Sequence, residues 1–434
     1  MMLSLSRLRN RPAAASFFAS VWLRFRAALV IAGFASTVFF AVEQLAETRE
    51  AVAGLPHSGV PLEVQNLRWH MLDPGFNSLA FRSMDRLFTT RKVPHSGPAW
   101  QLPRADHALD FTYTFEGKTY RPEEFFDRTY TNALLIMKNG VIVCENYRNY
   151  TDDQTHFIAW SATKSYIGTL VGIALSEGRI KSLDDDISSY LTELRGGGYE
   201  GVTIRQVLQM RSGVDYEERY DFSPANESLA ARNHENALVR NVARFADPAR
   251  TIRRAHKPGE VFAYKTLDTA VLGWLLERIS GETVSAYMAR RIWEPLGAEA
   301  DGFFIMDGPP GVGREFTGAG FNAVLRDFAR FGQMVLNGGE ANGHHIVSSA
   351  WLKEATTSSF PANGPMGYGY QWWTFANSEA FAALGLQGQY IFVDPSTKTV
   401  IVKVSYFPPA NTSAARETAA FLMAASAWTP SPPA

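Results

Sequence analysis

Two short apolar runs, Ala133 to Met137 and Val141 to Cys144, are joined through Asn139-Gly140, a dipeptide suited to a two-residue turn, and together they predict a β-hairpin. A second hairpin is expected over Tyr390 to Val404, turning at Asp394-Pro395-Ser396. Between them the pattern changes period. Ser165 to Ala174 is almost free of charge and reads as a buried helix closing at Glu177-Gly178-Arg179, where glycine permits left-handed backbone. Further helices are expected at Thr269 to Arg278 and over the alanine-rich residues 412 to 427. Asp184-Asp185-Asp186 reads as an N-cap ahead of an apolar helix, and Gly196-Gly197-Gly198 and Gly308 to Gly320 as loops. Two hairpins bracketing a helix-rich middle imply one sheet built from both chain ends with a helical lobe inserted, an α+β fold.

The N-terminal third breaks this rhythm. Arg7, Arg9, Arg11, Arg24 and Arg26 precede an apolar run from Ala27 to Val42, after which Glu43 to Glu50 turns acidic. Positive charge ahead of an apolar segment favours an N-in orientation. The run is short for a bilayer span, and the bulky Phe39 spoils a small-x-small cleavage site at Phe39-Phe40-Ala41. Residues 1–50 are therefore expected to be an uncleaved anchor in the inner membrane in preference to a cleaved signal, with the rest of the chain on the extracytoplasmic, periplasmic side. Residues 51–124 hold scattered aromatics (Trp69, Phe76, Phe81, Trp100, Phe111) and no readable motif, which suggests an irregular extension wrapped on the body.

Composition changes this picture little. The 434 residues carry 42 basic and 43 acidic side chains for a net charge of −1, so nothing steers nucleic acid, and 46% apolar content suffices for a large core. Cys144 is the lone cysteine, so no internal disulfide can form. There is no Gly-x-Ser-x-Gly around Ser161, no phosphate loop and no His-Glu-x-x-His; His344-His345 has no further ligand at metal spacing, and His156 reads as a packing residue. No metal or other cofactor is expected.

Chemistry concentrates in Ser161-Ala162-Thr163-Lys164 at the head of the buried helix. Residues three apart share a helical face, so the Lys164 amine can reach the Ser161 hydroxyl. To serve as the base, the lysine must first lose its proton: bringing its pKa from about 10.4 to about 7 requires roughly three units, or about 4 kcal/mol against the ammonium, from burial or a neighbouring cation; the alternative is that Lys164 stays charged and a tyrosine relays the proton. A loop-to-helix junction also exposes unpaired amides able to hold an oxyanion.

With these residues the chain resembles the serine β-lactamase and penicillin-binding group, in particular its class C-like esterase and 6-aminohexanoate-dimer hydrolase branch. That group's first motif is Ser-x-x-Lys, here Ser161 and Lys164. Its second, Tyr-x-Asn or Tyr-x-Ser, is matched by Tyr264-Lys265-Thr266 after Lys257-Pro258-Gly259. Thr203 to Gly213, Trp293 to Gly297 and Arg326 to Gly332 look like further landmarks, and the resemblance covers residues 125 to 425. It implies an antiparallel sheet flanked by helices with an inserted all-helical region, in a serine hydrolase domain spanning residues 125–428. It further implies Tyr264 as the proton relay and backbone amides of Ser161 and a residue near Ala383 as the oxyanion hole. Tyr220, Thr266 and Gln387 are the expected substrate contacts, and Lys265 is expected to be a solvated lysine.

The third motif, Lys-Thr-Gly or His-x-Gly, is absent: Phe381 to Gln387 supplies no cation to hold a substrate carboxylate. Hydrolysis of a small amide or ester through an acyl-enzyme is therefore expected over β-lactamase or D-Ala-D-Ala carboxypeptidase activity. The rival from another class is a non-catalytic cell-envelope binding protein that keeps the groove.

Overall fold

The computed structural model describes residues 58–220, 228–359, 366–409 and 411–431. The segment expected to anchor the chain, residues 1–50, lies outside them. Among the described residues no helix is long and apolar enough to cross a membrane.

Both predicted hairpins form, and they join. Strands β1 (Thr131–Lys138), β2 (Val141–Tyr147), β3 (Met366–Tyr368), β4 (Trp373–Phe375), β5 (Phe381–Gly385), β6 (Gln389–Asp394) and β7 (Thr399–Ser405) make one antiparallel sheet in the order β3-β4-β5-β6-β7-β1-β2. The seam between the two halves of the chain is β7 on β1, with Ile401 opposite Ile136. Asn139 and Gly140 have φ of 50° and 80°, the left-handed pair that a tight hairpin turn demands.

Both faces of the sheet are buried, because alternate side chains feed two cores. Leu134, Ile136, Phe392 and Ile401 pack with Phe421 and Leu422 of helix α4 (Thr412–Ala427), which has the predicted span. On the other face Leu135, Met137, Ile391 and Val400 join the larger core beneath the helical region. Helix α3 (Leu325–Leu336) lies close on this face: a Cβ added at Gly332 would sit 2.7 Å from Val400 Cγ1. The helical region centres on α1 (Thr163–Ser176) packed against α2 (Thr266–Ser280). Gly281, at φ 75°, ends α2.

Two expectations are corrected. Asp186 does cap, accepting from Ser188 N at 2.8 Å, but the element it caps is a single 3-10 turn, Ile187–Ser189, because the backbone leaves helical geometry at Leu191, with φ −111° and ψ 80°. The described part of the extension is also far from irregular. It forms helices Leu62–Trp69, Asn77–Ala80 and Met84–Leu87 and a strand, Thr90–Val93. That strand heads a second sheet, continued in order by Gly302–Ile305, Phe321–Ala323 and Phe157–Ile158. Met71, Phe81, Met84 and Val93 are buried in the main core.

Candidate active site

Ser161 is presented by a strained turn. The chain leaves Phe157–Ile158, where Ala159 N donates to Phe321 O at 2.8 Å, passes through Trp160 at φ 45° and enters a 3-10 turn, Trp160–Ala162, that runs into α1. A bulky residue in the left-handed region is rare outside sites that over-determine it. The consequence is a hydroxyl at the head of a helix, with its own amide among the N–H groups that a first turn leaves unpaired.

Lys164 is 1% exposed. Its Nζ lies 2.9 Å from Ser161 Oγ, 3.2 Å from Thr266 Oγ1 and 2.7 Å from Gly318 O. The partners of these atoms fix the direction of each bond. Gly318 O can only accept, and Thr266 Oγ1 spends its proton on Glu218 Oε1 at 2.6 Å, so it too accepts from the amine. Two N–H bonds are thereby assigned, and in the neutral amine the lone pair is left facing Ser161. Burial supplies the deprotonation: it lowers the Lys164 pKa to about 8, against the opposing charge of Glu218. At pH 7 about one amine in ten is then free to accept a proton.

Tyr264 completes the group. Its ring stands against Trp373, with centroids 5.4 Å apart, and against Tyr368 at 5.9 Å, while Lys164 Nζ lies 5.0 Å from its centroid. Its hydroxyl is hydrogen-bonded with Ser161. Burial pushes the phenol pKa well up, so Tyr264 holds its proton at neutral pH and acts as a donor.

The structure thus brings Ser161, Lys164 and Tyr264 together, while other expected positions move. Thr266 is turned inward, committed through Oγ1 and through N, which donates to Glu218 Oε2 at 2.7 Å. Gln387 is also committed: its Oε1 accepts from Asn77 Nδ2 at 2.8 Å and its Nε2 donates to Leu72 O at 2.9 Å, so its side chain is not available to substrate. Lys265 is not solvated but 2% exposed, its ammonium donating to Ala263 O at 2.9 Å. Tyr220 does line the pocket, 43% exposed at its mouth and hydrogen-bonded with Glu218. His156 packs on Phe303, its Nε2 2.7 Å from Asp301 O.

The amide offered to the pocket lies three residues beyond the expected Ala383. Successive residues of a strand point their N–H groups to opposite edges. Gly385 O accepts from Gly388 N within the β5–β6 turn, so Gly385, and Ala383 with it, faces β6. Ala382 faces the other edge, opposite Trp373, and the same parity carries through Leu384 to Leu386. Leu386 lines the pocket beside Ser161, and its N–H has no partner among the described residues; Ala383 is 1% exposed and outside the lining. Leu386, not Ala383, has its amide at the mouth.

Glu218 and His234 were not singled out by sequence. The only signal for Glu218 was its place in the polar, aromatic stretch after Ser212-Gly213. Burial lowers the His234 pKa to about 3, so this wall residue is neutral. Of the remaining walls, Leu72, Trp160, Tyr216, Leu238, Phe245 and Phe316 are apolar or aromatic, and Arg219, ion-paired with Glu217, adds a cation at 3.0 Å from that carboxylate. Among the described residues no group of three His, Cys, Asp or Glu could hold a metal ion.

Comparison with known proteins bears on the family and the fold. The family model "Beta-lactamase" matches residues 127–422. A 6-aminohexanoate-dimer hydrolase from Paenarthrobacter ureafaciens is 32% identical over 311 residues, covering 67% of this chain and 76% of that protein. Among solved structures, a candidate 6-aminohexanoate-dimer hydrolase from Bacillus anthracis superposes with a TM-score of 0.72 at 26% identity, over 82% of this chain and 95% of its own. EstCE1, a hydrolase with promiscuous acyltransferase activity, shares the fold at a TM-score of 0.54 and 17% identity, over 68% and 94%.

Proposed function

Since the chain belongs to the beta-lactamase family and is a hydrolase of that serine hydrolase superfamily, we propose that it cleaves small linear amides or esters through an acyl-enzyme on Ser161. The observation that carries this reading is the fixed polarity around Lys164. Gly318 O and Thr266 Oγ1 take its two N–H bonds, which leaves the lone pair for the Ser161 proton.

As the Ser161 Oγ–H proton passes to Lys164 Nζ, Oγ bonds to the substrate carbonyl carbon. The carbonyl oxygen takes the charge between the amides of Ser161 and Leu386. Collapse of this intermediate breaks the bond to the leaving amine or alkoxide. The Tyr264 phenol donates to that group and is reprotonated from Lys164. Water, deprotonated by the same amine, then attacks the ester carbon, and Oγ recovers its proton as the acid departs.

The absence of a lysine or histidine in Ala383-Leu384-Gly385 argues against substrates anchored by a carboxylate, hence against a β-lactam or a peptide terminus. The largely apolar walls, whose cation Arg219 is already paired with Glu217, favour an uncharged chain next to the scissile carbonyl. An extracytoplasmic site of action is part of the same proposal and rests on the arginine-flanked apolar segment 27–42. The test is incubation with p-nitrophenyl butyrate while product and protein mass are followed together. A burst with an added acyl mass supports the reading, and turnover without an acyl mass in rapidly quenched samples removes the acyl-enzyme.

A further inference from the structure

The two amides offered to the oxyanion each sit next to a non-glycine residue in the left-handed region: Trp160, at φ 45°, precedes Ser161, and Gln387, at φ 55°, comes directly after Leu386. Such conformations hold only when their surroundings over-determine them. Both are braced from the same place, the arm of short helices between Leu62 and Leu87.

On the Leu386 side, Asn77 is fully buried and its Nδ2 reaches Gln387 Oε1 at 2.8 Å and the carbonyls of Tyr406 and Phe407 at 3.1 Å each. Gln387 answers by donating Nε2 to Leu72 O at 2.9 Å, and its own carbonyl accepts from Phe407 N at 3.0 Å. The turn is thus tied to the arm through one side chain and to β7's exit through its backbone. On the Ser161 side, Phe81 O accepts from Ile158 N at 3.0 Å, and the Phe81 ring meets the Trp160 indole at 5.3 Å and 73°. Leu72, between these two braces, also lines the pocket.

We infer that two residues of the arm, Asn77 and Phe81, are positioning residues that hold the Leu386 and Ser161 amides at oxyanion-binding geometry. Neither side chain touches substrate. This rests on the proposed acyl-enzyme reading, because without a tetrahedral intermediate there is no oxyanion to hold. Removing Asn77 takes away the partner of Gln387 Oε1 and leaves the carboxamide on its single bond to Leu72 O, so the hold on the left-handed turn is weakened. The Leu386 N–H then loses its aim, while the walls that bind the substrate stay.

The experiment measures kcat and KM on p-nitrophenyl butyrate for the full chain and for Asn77→Ala, Phe81→Leu and Leu79→Ala. Competent sites are counted by burst amplitude, so that misfolded molecules do not enter the rate. Leu79, 52% exposed on the same arm, is the control and should leave both constants unchanged. Asn77→Ala is expected to lower kcat per titrated site at least tenfold with KM within about twofold, since loss of a whole oxyanion donor costs roughly a hundredfold or more. Phe81→Leu should act in the same sense. If Asn77→Ala gives no titratable sites, Gln387→Met, which cuts the same link from the loop side, carries the decision. An unchanged kcat per site with only a lower melting temperature would overturn the inference and leave the arm a structural brace. Absence of any burst in the unmodified protein would instead remove the acyl-enzyme reading beneath it.

Discussion

Replacing Glu218 by glutamine isolates the contribution of one carboxylate that never needs to touch substrate. Glu218 accepts from both Thr266 N and Thr266 Oγ1, and so turns the threonine oxygen toward Lys164 as an acceptor. Its charge also favours the ammonium. At a separation of about 5 to 6 Å and an effective dielectric of about 40, appropriate to a half-buried group, that attraction is about 1.5 kcal/mol. This is about one pKa unit. In the unmodified enzyme, kcat/KM should climb as pH rises through about 8, where Lys164 loses its proton. In Glu218→Gln the ammonium loses a partner, so the limb should move down by about one unit, toward pH 7. The plateau should fall roughly tenfold as well, because a carboxamide cannot accept both Thr266 bonds and the amine is no longer held in one orientation. The assay is hydrolysis of p-nitrophenyl butyrate between pH 5.5 and 9.5, corrected for the spontaneous rate. Tyr264 stays protonated over this range and does not obscure the limb. A limb that stays in place or moves upward would refute the assigned polarity.

The same geometry has other consequences. Tyr264→Phe keeps the ring against Trp373 but loses the proton donor, and should slow anilide hydrolysis by about a hundredfold or more while slowing the p-nitrophenyl ester much less, since an amine leaves only when protonated and p-nitrophenolate does not. Below pH 8 the folded protein bears the cost of a buried ammonium; above it, the folded state releases a proton that the unfolded chain holds to about 10.4. Stability relative to Lys164→Met should therefore rise by about 2 kcal/mol between pH 7.5 and 9.5 in urea titrations, and a constant difference would contradict the burial of the charge. Gly140→Ala places a Cβ at φ 80° and should cost about 1 kcal/mol or more in the same titrations.

Much of this site was legible because its chemistry is local. Ser161 and Lys164 lie one helical turn apart, Asn139-Gly140 specifies its own turn, and the alanine-rich composition of residues 412–427 marks α4 without reference to any partner. The features that escaped depended on long-range placement. The resemblance points to Ala383, but strand parity near a turn is fixed by the ladder, and the sequence does not show where Gly385 meets Gly388. Glu218 becomes part of the site only when its loop folds over Thr266. Gln387 looked like a substrate contact because nothing near it in the chain reveals Asn77, which reaches it across 310 positions. For the same reason the extension carried no readable motif. It is tied to the site by three hydrogen bonds and one aromatic contact, not by any repeated pattern. Lys265 reads as a surface lysine until Ala263 O closes on its ammonium.

The most direct test of the Ser161 acyl-enzyme is the mass of the protein quenched during turnover of p-nitrophenyl butyrate, read beside Ser161→Ala. The unmodified protein should gain one butyryl group on the peptide containing Ser161, with a burst of about one p-nitrophenol per site, and Ser161→Ala should show neither. An acyl group on another residue, or turnover that survives the substitution, would contradict it.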